Sequence, residues 1–185
     1  QTIEECILPQ SLKETFGEFL KNGDMTNLLL SGSAGTGKTT VAKALCAELG
    51  YTTLLINGSL DRNIDTLRND ISTFASTVSF DGGKKCVILD EADYLNPQST
   101  QPALRGFIEE FANNCRFILT CNFVERIIDP IQSRCQTFKI VPPTKKEVAV
   151  HITGICDKEN IGYEIPSIGK LVNKYYPDIR KMLNT

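Results

Sequence analysis

Nine residues constrain this chain more than any others: Gly32-Ser33-Ala34-Gly35-Thr36-Gly37-Lys38-Thr39-Thr40. They carry the spacing G-x-x-x-x-G-K-[ST], and their surroundings fit it. The apolar run Asn27-Leu28-Leu29-Leu30 comes before them, and Val41, Leu45 and Leu49 follow at helical spacing. A glycine-rich turn between strand and helix lets successive backbone N–H groups curl around a pyrophosphate. The start of the helix adds its positive dipole end. In such a loop Lys38 reaches the β- and γ-phosphates, and the Thr39 hydroxyl holds Mg²⁺. A glycine-rich turn with a chance lysine is the plainer alternative. The agreement of strand, loop and helix argues against it.

The run Cys86-Val87-Ile88-Leu89-Asp90-Glu91 is the second motif. Its apolar residues predict a buried strand, with two carboxylates at the carboxyl end, where open α/β sheets bind ligands. Hydrolysis uses two such acids. Asp90 is expected to hold Mg²⁺ through its water shell, and Glu91 to polarise the attacking water. An Asp-Glu pair alone is a weak signal, often just a solvated strand end. Downstream of a phosphate loop it is a strong one. Asp90-Glu91-Ala92-Asp93 also spells the label of the DEAD-box helicases, but those need a second α/β domain for which 185 residues leave no room.

Five β-rich runs alternate with helical patterns: 27–31, 53–57, 86–90, 116–120 and 136–140. One helix is expected through Ile64, Leu67, Ile71 and Phe74, another through Leu104, Phe107, Ile108 and Phe111. The fold class is therefore α/β: a five-stranded parallel sheet covered by helices on both faces. Pro142-Pro143 breaks the pattern, and the rest reads as helical. Thr144 with Glu147 forms a capping-box pattern for the first of these helices. Two further helices are expected, over about 167–176 and from near Asp178. Residues 1–142 are thus read as the nucleotide-binding core and 143–185 as a small helical lid. Both ends read as cut, since Gln1 starts abruptly and the last helix has no cap.

The net charge of −2 and pI near 5.5 argue against a free-standing, non-specific nucleic-acid binder. No run approaches the roughly 18 apolar residues of a membrane helix, so no membrane partner is expected. The seven cysteines form no C-x-x-C pair, and His151 is the only histidine. Zinc is not expected. The cysteines read as reduced thiols in a cytoplasmic protein, mostly filling the core. His151 reads as a surface or half-buried lid residue.

Three further positions are candidates. Asn122 follows the fourth strand, where an amide can meet the γ-phosphate or orient water. A plain turn residue is the alternative. Arg134, in Ser133-Arg134-Cys135, lies at the edge of the core and is expected to point away from its own site, toward a neighbour's γ-phosphate. A solvated loop charge is its alternative. Arg180, in Pro177-Asp178-Ile179-Arg180, can reach back over the phosphates from the lid.

With these residues in place, the chain resembles the AAA+ ATPases of the sliding-clamp-loader type, a group with T-even phage and replication factor C members. The resemblance covers essentially the whole chain. Thr2–Pro9 resembles the adenine-side segment of that family, which implies Cys6 and Ile7 at the base. Leu55-Ile56-Asn57-Gly58-Ser59 with Ile64, Asp65 and Arg68 resembles the stretch after strand two. Gln101-Pro102-Ala103-Leu104-Arg105 resembles the helix after the acidic pair. Ser133-Arg134-Cys135 matches the family's arginine-finger motif, Asn122 its sensor-1 position and Pro177-Asp178-Ile179-Arg180 its sensor-2 segment.

The resemblance implies ATP/ADP and Mg²⁺ as cofactors. It implies other clamp-loader subunits, a sliding clamp and primer–template DNA as partners. Arg62, Arg68 and Arg105 are the candidate DNA contacts, with helix-surface ion pairs as the alternative. In the family the chain continues into a helical collar, which this sequence does not contain.

Two other functions compete. A nucleotide-binding assembly module would bind ATP or ADP and hydrolyse almost nothing alone. A protein unfoldase would want an aromatic pore loop after strand two, and Asn57-Gly58-Ser59-Leu60 offers none.

Overall fold

A computed structural model describes residues 2–60, 63–77 and 83–184. Five strands form one parallel sheet: β1 (Leu28–Ser31), β2 (Thr52–Asn57), β3 (Lys85–Asp90), β4 (Cys115–Cys121) and β5 (Gln136–Lys139). Their spatial order is β2-β3-β4-β1-β5. Leu28 lies opposite Ile118 of β4 and Gln136 of β5, and Asn57 lies opposite Asp90. Each strand starts and ends within a residue of its expectation. Their burial differs, however. Only β1, β3 and β4 are buried along nearly their whole length. The edge strands β2 and β5 are largely exposed or half-buried, because each has a neighbour on one side only.

Alternate side chains of the central strands face opposite ways. Leu29, Val87, Leu89, Phe117 and Leu119 pack against α3 (Ile64–Ser76) and α4 (Thr100–Glu110). Leu28, Leu30, Cys86, Ile88 and Ile118 pack against α1 (Gln10–Asn22) and α2 (Lys38–Glu48). Five of the seven cysteines are buried, and Cys135 and Cys156 are half-buried. Helix α1 is not among the sequence expectations, although Leu12, Phe16, Phe19 and Leu20 trace its apolar stripe. A four-residue helix α5 (Asp129–Gln132) precedes β5.

The segment read as a lid forms three helices, α6 (Lys145–Lys158), α7 (Ile165–Tyr175) and α8 (Ile179–Leu183). Its own small core is Val148, Ile152, Ile168, Val172 and Met182. The capping box is present: Thr144 accepts from the Glu147 N–H, and Glu147 accepts from the Thr144 N–H. Among the described residues, no helix is long and apolar enough to cross a membrane.

Asp24 ties together the amino-terminal ends of four strands. It stands just before β1 and accepts from Tyr51 at 2.6 Å, before β2, and from Lys84 at 2.8 Å, before β3. Arg116 of β4 donates to it at 2.9 Å. Burial alone would push this carboxyl up. The bonds from Lys84, Tyr51, Arg116 and the Met25 N–H outweigh that and hold it well below the usual carboxylate range. With the lower ends fixed, the carboxyl ends of β1, β3 and β4 converge above.

Asp24→Ala should lower unfolding stability by about 1–3 kcal/mol in urea near neutral pH. The carboxyl's pKa is depressed in the folded state, so its contribution is complete above the ordinary value of 3.8 and fades as pH falls through the folded value. The gap between variant and parent should therefore narrow below about pH 4. A gap that persists unchanged in acid would contradict the assignment.

Candidate functional site

The chain leaves β1 into the glycine-rich loop and enters α2 at Lys38. Gly32 is required by close approach, because a Cβ there would run into the Ile140 carbonyl. Gly35 has φ +77°, and a Cβ there would stand 2.7 Å from Asp178 Oδ1 of the lid. The loop therefore passes tightly between β5 and the start of α8. Gly37 directly precedes α2. Ala34 lines a cleft with Lys38 and Asp90, and the Thr36 hydroxyl donates to the Ser33 carbonyl at 2.9 Å.

Lys38 is only 8% exposed. Its ammonium donates to the carbonyls of Gly32 and Ser33 and to Asn122 Oδ1, each at 2.9 Å. Burial pushes its pKa below the ordinary lysine value and the Arg180 charge adds to this, while the charges of Asp90 and Asp93 oppose it. Thr39 donates to Asp90 Oδ1 at 2.7 Å, and Thr120 of β4 donates to the same oxygen. The Glu91 N–H donates to Thr120 Oγ1 at 3.1 Å. Glu91 itself is left-handed, at φ 55° and ψ 43°. Strain of this kind costs on the order of 1–3 kcal/mol and concentrates at functional sites. It turns the chain at the end of β3, where a Cβ on Gly58 of the neighbouring turn would stand 2.8 Å from the Glu91 carbonyl.

Lys38, Thr39, Asp90, Glu91, Asn122 and Arg180 line one cleft. The two hard oxygens meeting there, from Thr39 and Asp90, suit Mg²⁺, which takes few protein ligands and keeps several waters. Among the described residues, no group of three or more His, Cys, Asp or Glu gathers as a metal cage.

A second cleft of about 220 Å³ adjoins the first through Gly35 and Arg180. Cys6, Ile7, Gly37, Thr40 and Val41 line it on the core side, His151 and Ile179 on the lid side. Its walls are largely apolar, which suits a flat base. Burial raises the Cys6 thiol pKa, so this cysteine acts as an apolar wall. Glu5 and His151 line the same cleft, and sequence reasoning gave neither a place there. The Thr2–Pro9 segment points to Glu5, but His151 comes from far along the chain with no local signal. Glu5 also bonds Lys158 of α6 at 2.8 Å, which ties the N-terminal segment to the lid.

Arg134 lines neither cleft. It borders a separate one with Phe19, Asp24 and Arg116. Its Nε donates to Glu109 at 2.7 Å, and Nη1 donates to the Pro130 carbonyl at 2.6 Å. Arg105 reaches the same Glu109 at 3.4 Å, so the helix-surface ion pair weighed for it is present. Arg68 is exposed on α3. Arg62 lies outside the described residues.

A family model, "ATPase family associated with various cellular activities (AAA)", matches residues 28–143. The sliding-clamp-loader large subunit of Enterobacteria phage T4 is 40% identical over 98% of this chain and 60% of its own length. The replication factor C small subunit of Haloarcula marismortui is 39% identical over 100% of this chain and 58% of that protein. The chain thus spans about three fifths of the length of these relatives. A mutant of Thermotoga maritima RuvB superposes with a TM-score of 0.81 over 99% of this chain and 62% of that one. At 18% identity, that likeness speaks for the fold alone. The phosphate loop, the acidic pair at the end of β3 and the match over 28–143 lead to one conclusion: the chain belongs to the AAA family of ATPases.

Proposed function

We propose that this chain is an ATP-binding and ATP-hydrolysing subunit of a DNA polymerase sliding-clamp loader. The observation that carries the nucleotide chemistry is the meeting of Lys38, Thr39, Asp90 and Asn122 in one cleft beside an apolar one. The similarity to clamp-loader and replication factor C subunits supports the biological role.

The base enters between Cys6, Ile7 and His151, and the phosphates run along residues 32–40 toward Lys38. Lys38 and Arg180 share the phosphate cleft and repel each other, so a phosphate between them relieves a repulsion already present. Thr39 and Asp90 would hold Mg²⁺, which when bound would supply charge neutralisation at the phosphate oxygens. Glu91 takes the proton of the attacking water, and the Asn122 amide orients that water or the γ-phosphate.

Arg134 lies outside both candidate nucleotide clefts of its own chain, which supports a role as a finger for a neighbouring subunit. Such a finger is worth about 10³–10⁵ in rate, so an isolated chain is expected to turn over slowly. Primer–template DNA is contacted through phosphates, with Arg62, Arg68 and Arg105 as the candidates. Arg105 would have to leave Glu109 to make that contact.

Lys38→Ala should weaken ATP binding at least about 100-fold, since it removes the buried cation of the phosphate site. Equilibrium binding of a fluorescent ATP analogue measures this, and parental affinity would refute the phosphate-loop assignment. Glu91→Gln should bind ATP as the parent does while hydrolysis falls about 10²-fold or more. Unchanged turnover would remove Glu91 as the base.

A further inference from the structure

Asp93 has no part in the scheme above, yet it is the most conspicuous acid in the fold. It is 5% exposed, and no other carboxylate among the described residues is buried. It sits in the short 3-10 turn Ala92–Tyr94 that follows Glu91. Its Oδ2 accepts the N–H groups of Asn122 and Phe123, each at 3.2 Å. Its Oδ1 has no partner and is shielded from solvent. A buried carboxyl with an unpaired oxygen is costly, and stability alone gives little reason to keep one.

Both of its bonds go to one place, the main chain directly after β4. That is where Asn122 turns its amide oxygen to Lys38, 2.9 Å away. A series of contacts therefore runs from Asp93 through the Asn122 backbone to the Asn122 side chain and the lysine of the phosphate loop. Asp93 follows the acidic pair by three and two residues, so the turn after Glu91 and the strand end bearing Asn122 are locked together.

We propose that Asp93 is a positioning residue for γ-phosphate recognition: its carboxylate fixes the backbone at Asn122 and Phe123 and so aims the Asn122 side chain. The proposal rests on the nucleotide-binding reading given above. A carboxyl oxygen suits the task because its two lone pairs accept both N–H groups at once. The four-residue label Asp90–Asp93, discounted as a helicase signature, thus places three acids with three tasks: metal, water and alignment.

The test uses the whole chain with ADP and ATPγS as probes. Asp93→Ala should weaken ATPγS binding about 10-fold, the loss of one bond to a charged group, while ADP affinity changes less than about threefold. Asn122→Ala should give the same pattern, and the double variant should add nothing further, because both act through one contact. Asp93→Asn keeps an acceptor and should recover most of the ATPγS affinity. Hydrogen exchange at the Asn122 and Phe123 amides should speed up in Asp93→Ala and much less in Asp93→Asn.

Parental ATPγS affinity in Asp93→Ala would overturn the proposal. So would equal losses of ADP and ATPγS affinity in both Asp93 variants, which would mean a structural role only. Lys38→Ala serves as the control. If it binds both nucleotides like the parent, the nucleotide reading fails and the Asp93 proposal with it. If it loses both while Asp93→Ala keeps ATPγS, only the proposal fails.

Discussion

The Lys38 ammonium sets the terms for everything around it. A lysine 8% exposed cannot keep its charge without partners. The chain supplies two carbonyls by curling back on itself at Gly32 and Ser33, and a side-chain oxygen from Asn122 at the end of another strand. Bonds to a charged group are worth about 1.5–3 kcal/mol each, enough to offset much of the desolvation. The curl requires glycine where the loop passes the Ile140 carbonyl and the lid. The third bond requires β1 and β4 to be neighbours, as the strand order makes them. Loop, sheet and lid are thus organised around one cation.

Arg180 brings the C-terminal helices to the cleft that Lys38 and Asp90 line, and a Cβ at Gly35 of the loop would stand 2.7 Å from Asp178 Oδ1. The Glu5–Lys158 pair joins the lid to the N-terminal segment across the base cleft. Both partners of that pair are substantially exposed, so it guides the lid more than it stabilises it. On the far edge, Glu109 holds Arg134 against its own core. The proposed finger role requires that contact to be exchanged for one with a neighbour's phosphate.

The sequence made the local features legible. The phosphate loop and the β3 acids are contiguous, so their spacing alone placed Lys38, Thr39, Asp90 and Glu91 at one site. Strand limits held because the apolar runs are continuous and end in turn residues. The burial of β2 and β5 was less legible, since being at an edge depends on strand order and not on the strand itself. Helix α1 carried an apolar stripe at Leu12, Phe16, Phe19 and Leu20 that stood clear of any motif. Asn122, Arg134 and Arg180 were visible as positions, but position alone left Asn122 and Arg134 each with a bland alternative. The structure brings Asn122 and Arg180 to the cleft and leaves Arg134 on another face. His151 and Asp93 acquire their places only through tertiary contacts with residues far along the chain; the tetrapeptide Asp90–Asp93 drew the eye to Asp93 but not to its bonds with Asn122 and Phe123.

The central claim is that this chain carries a full hydrolytic set in one place and a finger for a neighbour in another. Mixing two inactive variants tests it most directly: Glu91→Gln, with an intact finger, and Arg134→Ala, with an intact acidic pair. Each alone should be nearly silent, and the mixture should regain ATP turnover, because an Arg134→Ala site can borrow the finger of a Glu91→Gln chain. A mixture as silent as its parts, or full activity in Arg134→Ala alone, would contradict the account.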